Sequence, residues 1–415
     1  MSATARKVDF AVFPFADQLA RLLDVLDRDG EEARVVGGAV RNALIDAPVH
    51  EVDIATTAVP DEVVRRAKAA GFKPVPTGID HGTVTIVVEK HPFEVTTLRT
   101  DVETFGRHAK VAFGRDWRED ALRRDFTMNA LSATRDGTVY DYTTGLADLD
   151  ARRVRFIGDA SKRIAEDYLR ILRFFRFHAA YGASGHPDPD GVAACIAARD
   201  GLAQLSRERL RMEMLKLVVA PHATATLADM DHAGLTLRIL GGVTYLAAFE
   251  NMAKVEAACG LAPDATRRLG ALAVMIPEDA LRLHERLRLA NHERDRLVAM
   301  GQDWRIVAPD KGERAARALV YRNGPEAFVD QALLAWARSE ASAHDPAWRE
   351  LVALPQRFTA PVFPLKADDF MKRGVAKGPA LGAALRAAEE AWIAADFPVD
   401  RAALDQIADK AVPQA

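Results

Sequence analysis

The spacing of the apolar residues changes once along the chain, near residue 160. Before that point it alternates in short β-type runs, which predict strands at 33–36, 52–55, 83–88, 93–98 and 139–142. Short helices are predicted between them at 39–45 and 60–70. From about residue 161 to the end the spacing is helical. We therefore expect an α+β protein, with a small α/β head on a mixed sheet followed by an elongated all-α remainder.

Length and composition restrict the class of protein. A chain of 415 residues exceeds one ordinary core, so we expect two to four domains. The two cysteines, Cys195 and Cys259, are too few and too isolated for a disulfide framework or a thiolate metal site. The N-terminal residues lack the apolar core of a signal peptide, and no apolar run reaches membrane-spanning length. We predict a cytoplasmic protein without a membrane partner, and no motif indicates a protein partner.

Charge is distributed unevenly in a chain whose net charge is only −3. Between residues 152 and 176, eight basic residues face three acidic ones. Such a local excess is typical of a phosphate-binding cleft, although a solvated basic helix face is the more common origin of a charge run.

The stretch VVGGAVRNALIDAPVHEVDIATTA (35–58) combines two features of phosphate chemistry. Gly37 and Gly38 form a turn before a short helix, whose first N–H groups favour phosphate, and Arg41 follows one turn later. Residues i and i+2 of a strand point to the same side, so Glu51 and Asp53 are predicted to present both carboxylates to one volume. Such a pair suits Mg²⁺, although either feature alone is common on solvated surfaces.

The helical stretch EDYLRILRFFRF (166–177) carries a polar residue at every third position, in otherwise apolar sequence. On a helix these side chains form one slowly winding stripe. Guanidinium groups on a largely buried helix require anions, which can be nucleotide phosphates or carboxylates of neighbouring helices. The stripe consists of Asp167, Arg170, Arg173 and Arg176.

Five segments in this order resemble the motifs of class II tRNA nucleotidyltransferases and bacterial poly(A) polymerases. They are GGAVRN with EVDIATTA, then RRDFTMNAL (123–131), DYTTGLADL (141–149), EDYLRILRFFRF and SRERLRMEMLK (206–216). The resemblance covers about the first 220 residues. It departs from the usual pattern at Asn42 and Glu51, where the family commonly has Asp.

The resemblance implies template-independent addition of CCA to the 3′ end of tRNA from CTP and ATP. Two Mg²⁺ ions would be held by Glu51 and Asp53, and Glu94 is either a third catalytic carboxylate or a surface residue. Asp167 and Arg170 would read the base. The other nucleotide-binding residues implied are Gly37, Gly38, Arg41, Arg124, Arg173 and Arg176.

The same resemblance implies a division into a catalytic nucleotidyltransferase head (1–150), a base-recognising helical neck (151–224), a helical body (225–352) and a tRNA-binding tail (353–415). Residues 99–120, rich in charge and glycine, are predicted as a mobile loop.

Three alternatives remain open. A poly(A) polymerase shares the head motifs, but the C-terminal residues here are not basic. An enzyme restricted to CC or to A addition, and a non-catalytic RNA-binding protein, are also compatible with the motifs.

Overall fold

The computed structural model describes residues 3–78, 82–105, 108–183 and 185–412. The chain forms two compact units, residues 1–239 and 240–415. The four predicted domains divide the chain more finely than this and stay a prediction.

The first unit is built on a mixed β-sheet. In the described part of the chain its eight strands are β1 (Ala3–Lys7), β2 (Ala33–Val36), β3 (Asp53–Thr56), β4 (Lys73–Gly78), β5 (Thr83–Val88), β6 (His91–Thr97), β9 (Ser132–Ala133) and β10 (Thr138–Tyr140). They lie in the order β1-β10-β9-β2-β3-β6-β5-β4, and β3 and β6 are parallel whereas the other neighbours are antiparallel. The predicted α+β head on a mixed sheet is confirmed.

The prediction of a loop at 99–120 is wrong. β7 (Arg99–Phe105) and β8 (His108–Phe113) pair antiparallel as a separate two-stranded sheet, and a helix begins at Trp117. Residues 106 and 107, at the tip, lie outside the described residues. The two strands lie outside the eight-stranded sheet, and the charged sequence of β7 lacks the apolar alternation by which a strand is predicted.

Helices complete the first unit. Pro60 at the first position of α3 and Asp61 and Glu62 in its first turn supply the start signals that the sequence predicted. The helices are α1 (Ala16–Leu26), α2 (Gly38–Leu44), α3 (Pro60–Ala69), α4 (Trp117–Leu122), α5 (Gly145–Asp150), α6 (Ala160–Glu166), α7 (Leu169–Tyr181), α8 (Pro189–Ala197), α9 (Arg207–Val218), α10 (Ala223–His232) and α11 (Leu235–Leu240).

An aromatic cluster anchors α7 in the first unit. Phe126 and Phe156 have ring centroids 4.9 Å apart, and Phe174 of α7 stacks on Phe156 at 5.3 Å. Phe174 is fully buried, so the apolar side of this helix is fixed and its polar side chains are confined to the opposite side.

The second unit is helical, as predicted. Its largest buried side chains are the rings of Trp336 and Trp392, and the ring of Trp348 stacks on Trp336 at 6.1 Å. The helices are α12 (Leu246–Ala258), α13 (Ala265–Ala273), α14 (Pro277–Leu287), α15 (Asn291–Asp303), α16 (Gly312–Asn323), α17 (Pro325–Ala337), α18 (Pro346–Val352), α19 (Leu354–Arg357), α20 (Ala367–Met371), α21 (Pro379–Ala394) and α22 (Arg401–Ala411).

Gly145, at the start of α5 in the third motif, packs closely against the backbone of Thr127. A Cβ added there would lie 2.3 Å from the backbone oxygen of Thr127, so backbone must shift to accept it. We expect Gly145→Ala to lower the free energy of unfolding by about 1–3 kcal/mol. Urea unfolding followed by circular dichroism would measure the loss. Gly114→Ala is the matched control, since its Cβ would meet nothing within 4 Å; equal midpoints for the two variants would contradict the prediction.

Candidate active site

Strand register brings the glycine turn beside a carboxylate. Val36, the last residue of β2, pairs with Asp53, the first residue of β3. Gly37 and Gly38 follow Val36 directly and lead into α2. The two halves of the opening motif, separated by about fifteen residues in sequence, therefore meet at one edge of the sheet.

An open, polar cavity of about 630 Å³ lies at this edge. Among the described residues that line it, seven arginines face four carboxylates, an excess of three positive charges. This excess suits a polyanionic ligand. The lining residues are Gly37, Gly38, Arg41, Glu51, Asp53, Arg123, Arg124, Asp125, Asn129, Asp167, Leu169, Arg170, Arg173, Arg176, Phe177, Tyr181 and Arg209.

The carboxylate pair was predicted on one strand, and this is wrong for Glu51. β3 begins at Asp53, so Glu51 lies in the extended segment that precedes it. Strand pairing fails there because β2 ends at Val36 and offers no further backbone partner. Both carboxylates nevertheless line the same cavity as Arg170. Their role in holding a cation stays a prediction.

Glu94 lies next to Asp53 but outside the residues that line the cavity. The parallel pairing of β3 with β6 sets Asp53 opposite Glu94. Desolvation raises the pKa of Asp53 most, and the negative charges of Glu94 and Glu51 raise this pKa further, whereas Arg124 lowers it. Crowded carboxylates of this kind favour a bound cation, because a cation relieves their mutual repulsion.

Hard divalent cations fit this donor set only with added ligands. Asp53 and Glu51 supply carboxylate oxygens to one cavity. Among the described residues, no three His, Cys, Asp or Glu side chains are grouped closely enough to hold an ion by themselves. Mg²⁺ usually keeps several waters and shares substrate phosphates, so two protein carboxylates are a suitable number for it.

The two glycines leave room for two guanidinium groups. A Cβ at Gly37 would lie 3.1 Å from Nη1 of Arg124, and Gly37 also has a φ of +71°, which favours glycine. A Cβ at Gly38 would lie 3.3 Å from Nη2 of Arg41. The turn thus gathers Arg41 and Arg124 where a phosphate would approach its backbone.

Arg41 is buried and held by neutral groups. It donates to Oδ1 of Asn129 at 2.5 Å, to Oδ1 of Asn42 at 2.8 Å and to the hydroxyl of Tyr181 at 2.8 Å. Its guanidinium carbon also lies 3.8 Å from the centroid of the Tyr181 ring. Burial, followed by the positive charge of Arg176, lowers the pKa of Arg41, and the site therefore gains from an added anion.

Asp167 was predicted as the first member of a helical stripe, and this is wrong in detail. α7 begins at Leu169, and Asp167 has an extended conformation with φ −158° and ψ 107°. Its Oδ1 accepts from the backbone N–H of Leu169 at 3.1 Å. A short polar side chain that satisfies a free N–H at the helix start competes with continued helix, which explains the boundary.

The three arginines of α7 have the carboxylate partners that the sequence allowed, and their contact with nucleotide phosphates stays a prediction. They line the cavity, and each also pairs with a carboxylate. Arg173 donates to Oδ2 of Asp125 at 2.8 and 2.5 Å, Arg170 pairs with Glu166, and Arg176 pairs with Glu213. Burial alone would raise the pKa of Asp125, but Arg173 outweighs it and the net shift is downward.

Arg209 and Tyr181 were missed by the sequence reasoning. Arg209 on α9 donates to both oxygens of Asp167, at 3.1 and 2.6 Å, in a bidentate pair. Arg209 could have been found, since it stands in the fifth motif. Tyr181 has no such signal, because it ends α7 beyond the arginine stripe and reaches Arg41 only in the folded chain.

Comparison with known families identifies the class. The model described as "Poly A polymerase head domain" matches residues 33–155. The model described as "Probable RNA and SrmB- binding site of polymerase A" matches residues 186–246. The fold and the cavity are thus those of a nucleotidyltransferase with a poly(A) polymerase-type head.

Relatives that span nearly the whole chain define the family more closely. The chain is 32% identical over 398 residues to human mitochondrial CCA tRNA nucleotidyltransferase 1, covering 93% of this chain and 88% of the relative. It is 32% identical over 375 residues to the CCA-adding enzyme of Limosilactobacillus fermentum, covering 88% and 89%. A solved structure, the Bacillus stearothermophilus CCA-adding enzyme in complex with CTP, superimposes with a TM-score of 0.75 at 26% identity, covering 95% and 97%. The chain belongs to the family of CCA-adding tRNA nucleotidyltransferases.

The location of the protein is less defined. In residues 3–78, 82–105, 108–183 and 185–412, none of the helices combines the length and apolar character that crossing a lipid bilayer requires. The human relative is mitochondrial by name, so the cytoplasmic assignment stays a prediction.

Proposed function

We propose that the protein adds CCA to the 3′ end of tRNA from CTP and ATP without a nucleic-acid template. The observation that carries this proposal is the single cavity in which Asp53 and Glu51 face the arginines of α7. Relatives of this chain are named CCA tRNA nucleotidyltransferase or CCA-adding enzyme, and the similar Bacillus stearothermophilus structure is a complex with CTP. A poly(A) polymerase is not favoured, because the relatives that match nearly the full chain are CCA-adding enzymes.

The triphosphate would lie against the glycine turn. α2 begins at Gly38, which lines this cavity together with Arg41 and Arg124. Their guanidinium groups would offset the charge of the phosphates and orient the α-phosphorus towards the 3′-hydroxyl of the RNA.

Glu51 and Asp53 would hold two Mg²⁺ ions, with Glu94 adding negative charge behind Asp53. Bound Mg²⁺ would lower the pKa of the RNA 3′-hydroxyl and stabilise the leaving pyrophosphate. The raised pKa of Asp53 means that its ionised carboxylate is destabilised in the metal-free protein, and bound ions would offset this destabilisation.

Base selection would be carried out by Asp167 and Arg170. A carboxylate accepts from the exocyclic amine that C and A share, and a guanidinium donates to ring acceptors. A carboxylate has about four lone-pair sites, and in Asp167 two of them accept from Arg209 and one accepts from the backbone N–H of Leu169. Arg209 therefore orients Asp167 and leaves one acceptor position, on Oδ2, open to a base.

The remaining nucleotide-binding roles go to Arg173 and Arg176, which complete the positive wall of the cavity. The helical remainder would hold the acceptor end of tRNA through backbone contacts, which recognise shape rather than sequence. We place the head at 1–150, the base-recognising neck at 151–224, the body at 225–352 and the tail at 353–415.

Three tRNA substrates separate the alternatives. Purified protein receives tRNA ending before the CCA, after C, or after CC, with CTP and ATP supplied separately and together in Mg²⁺. The proposal requires addition of CCA to the first substrate and arrest afterwards. Long A tracts would indicate a poly(A) polymerase, and arrest after CC, or addition of A alone, a restricted enzyme. No incorporation with Mg²⁺ or Mn²⁺ would indicate a non-catalytic RNA-binding protein.

A further inference from the structure

The contacts of Asn42 give a function to one of the two departures from the family motif. Asn42 follows Arg41 on α2, where the motif commonly has Asp. Its Oδ1 accepts from Nε and Nη2 of Arg41 at 3.1 and 2.8 Å, and its Nδ2 donates to the backbone oxygen of Pro48 at 2.8 Å. This amide orientation is set by its partners, because two N–H donors face one side and a carbonyl faces the other.

An aspartate could make only part of this arrangement. A carboxylate accepts from Arg41 but has no hydrogen to donate to Pro48. It would also place a negative charge in direct contact with the guanidinium of Arg41.

Arg41 in the present chain has no direct negative partner among the described residues. Its hydrogen-bond acceptors are the oxygens of Asn42, Asn129 and Tyr181, all of them neutral. Asp125, whose negative charge raises the pKa of Arg41, is itself paired with Arg173. Only 5% of Arg41 is exposed, so water compensates its charge poorly.

We propose that Asn42 is a positioning residue that leaves the charge of Arg41 available to the triphosphate. It orients the guanidinium by hydrogen bonds without neutralising it, and its amide N–H ties the segment that leads to Glu51 to α2. The inference rests on the proposed function and adds to it the residue that determines how strongly the triphosphate is bound.

The test compares the Kd of CTP with that of cytidine, measured by calorimetry with Mg²⁺ on the full chain. Asn42→Asp should raise the Kd of CTP by about tenfold and leave that of cytidine unchanged, because only the triphosphate meets Arg41. Asn42→Ala loses the same hydrogen bond to Pro48 without adding charge, and should raise the Kd of CTP less. The matched control is Asn251→Asp, which removes a similar bond from Nδ2 to the backbone oxygen of Ala337 in the second unit.

Three results would overturn the inference: an unchanged Kd of CTP for Asn42→Asp, equal increases for Asn42→Asp and Asn42→Ala, or an equal increase for cytidine. If Asn42→Asp does not fold, Arg41→Gln decides, since the inference requires it to weaken CTP and spare cytidine. Wild-type protein that binds neither CTP nor ATP would refute the proposed function itself, which distinguishes the two failures.

Discussion

Asp53→Asn should reduce nucleotide addition by about a thousandfold or more, while the Kd of tRNA stays unchanged. The substitution preserves size but removes the charge of the one carboxylate that both belongs to β3 and lines the cavity. Single-turnover addition of CMP to a tRNA lacking CCA would measure the loss. Asp46→Asn is the matched control: Asp46 is exposed in the segment between α2 and β3, with a φ of +54° that asparagine tolerates. Equal rates for both variants would refute the role of Asp53.

The raised pKa of Asp53 adds a pH dependence to this prediction. The carboxylate form would bind the cation, so kcat/KM should fall as the pH drops through a value above that of an ordinary aspartate. A higher Mg²⁺ concentration should move this fall in kcat/KM to lower pH, because protons and metal compete for the same carboxylate oxygens. If the pH at which kcat/KM falls does not depend on the Mg²⁺ concentration, the titrating group is not Asp53.

Stability should respond in the opposite sense from activity. A folded-state pKa above the unfolded value means that the contribution of Asp53 to stability is present at low pH and is lost as the pH rises through the raised value. At neutral pH without metal, Asp53→Asn should therefore unfold at a urea concentration equal to or higher than the wild type. Loss of activity together with a higher midpoint would separate catalysis from folding.

Asp167→Ala should reduce discrimination of CTP and ATP against UTP and GTP by roughly 10- to 100-fold, the scale of one well-placed base contact. The reason is that the carboxylate held by Arg209 is the acceptor in the cavity best placed to receive an exocyclic amine. The ratio of kcat/KM values for correct and incorrect nucleotides is the measurement, and the ratio is independent of the fraction of protein that is folded.

Asp190→Ala provides the comparison for this variant, since Asp190 is exposed on α8 and is not among the lining residues of the cavity. Asp167→Ala leaves Arg209 without its carboxylate, so some loss of stability accompanies it. Unchanged nucleotide discrimination in a folded Asp167→Ala protein would remove Asp167 from base recognition.

Local sequence patterns predicted the elements whose cause is local. The strands β5 and β6 are an example: runs of β-forming residues predicted strands at 83–88 and 93–98, and the structure has paired strands at Thr83–Val88 and His91–Thr97. The helices after residue 160 followed from apolar spacing in the same way. For the site, the motifs identified most of the side chains that the cavity gathers.

The errors have both tertiary and local causes. Glu51 lies outside β3 because β2 ends too early to pair with it, and Asp167 lies outside α7 because its side chain satisfies the N–H of Leu169. Tyr181 contacts Arg41 across 140 positions of sequence, a distance over which spacing carries no information.

The whole lining of the cavity is drawn from residues 37–209, inside the first compact unit. If the helices after residue 239 hold the acceptor end of tRNA as proposed, substitutions there should change the Kd of tRNA without changing the choice between CTP and ATP, because none of the described residues that line the cavity lies beyond Arg209. The affinity for RNA and the selection of the nucleotide would then be able to change independently.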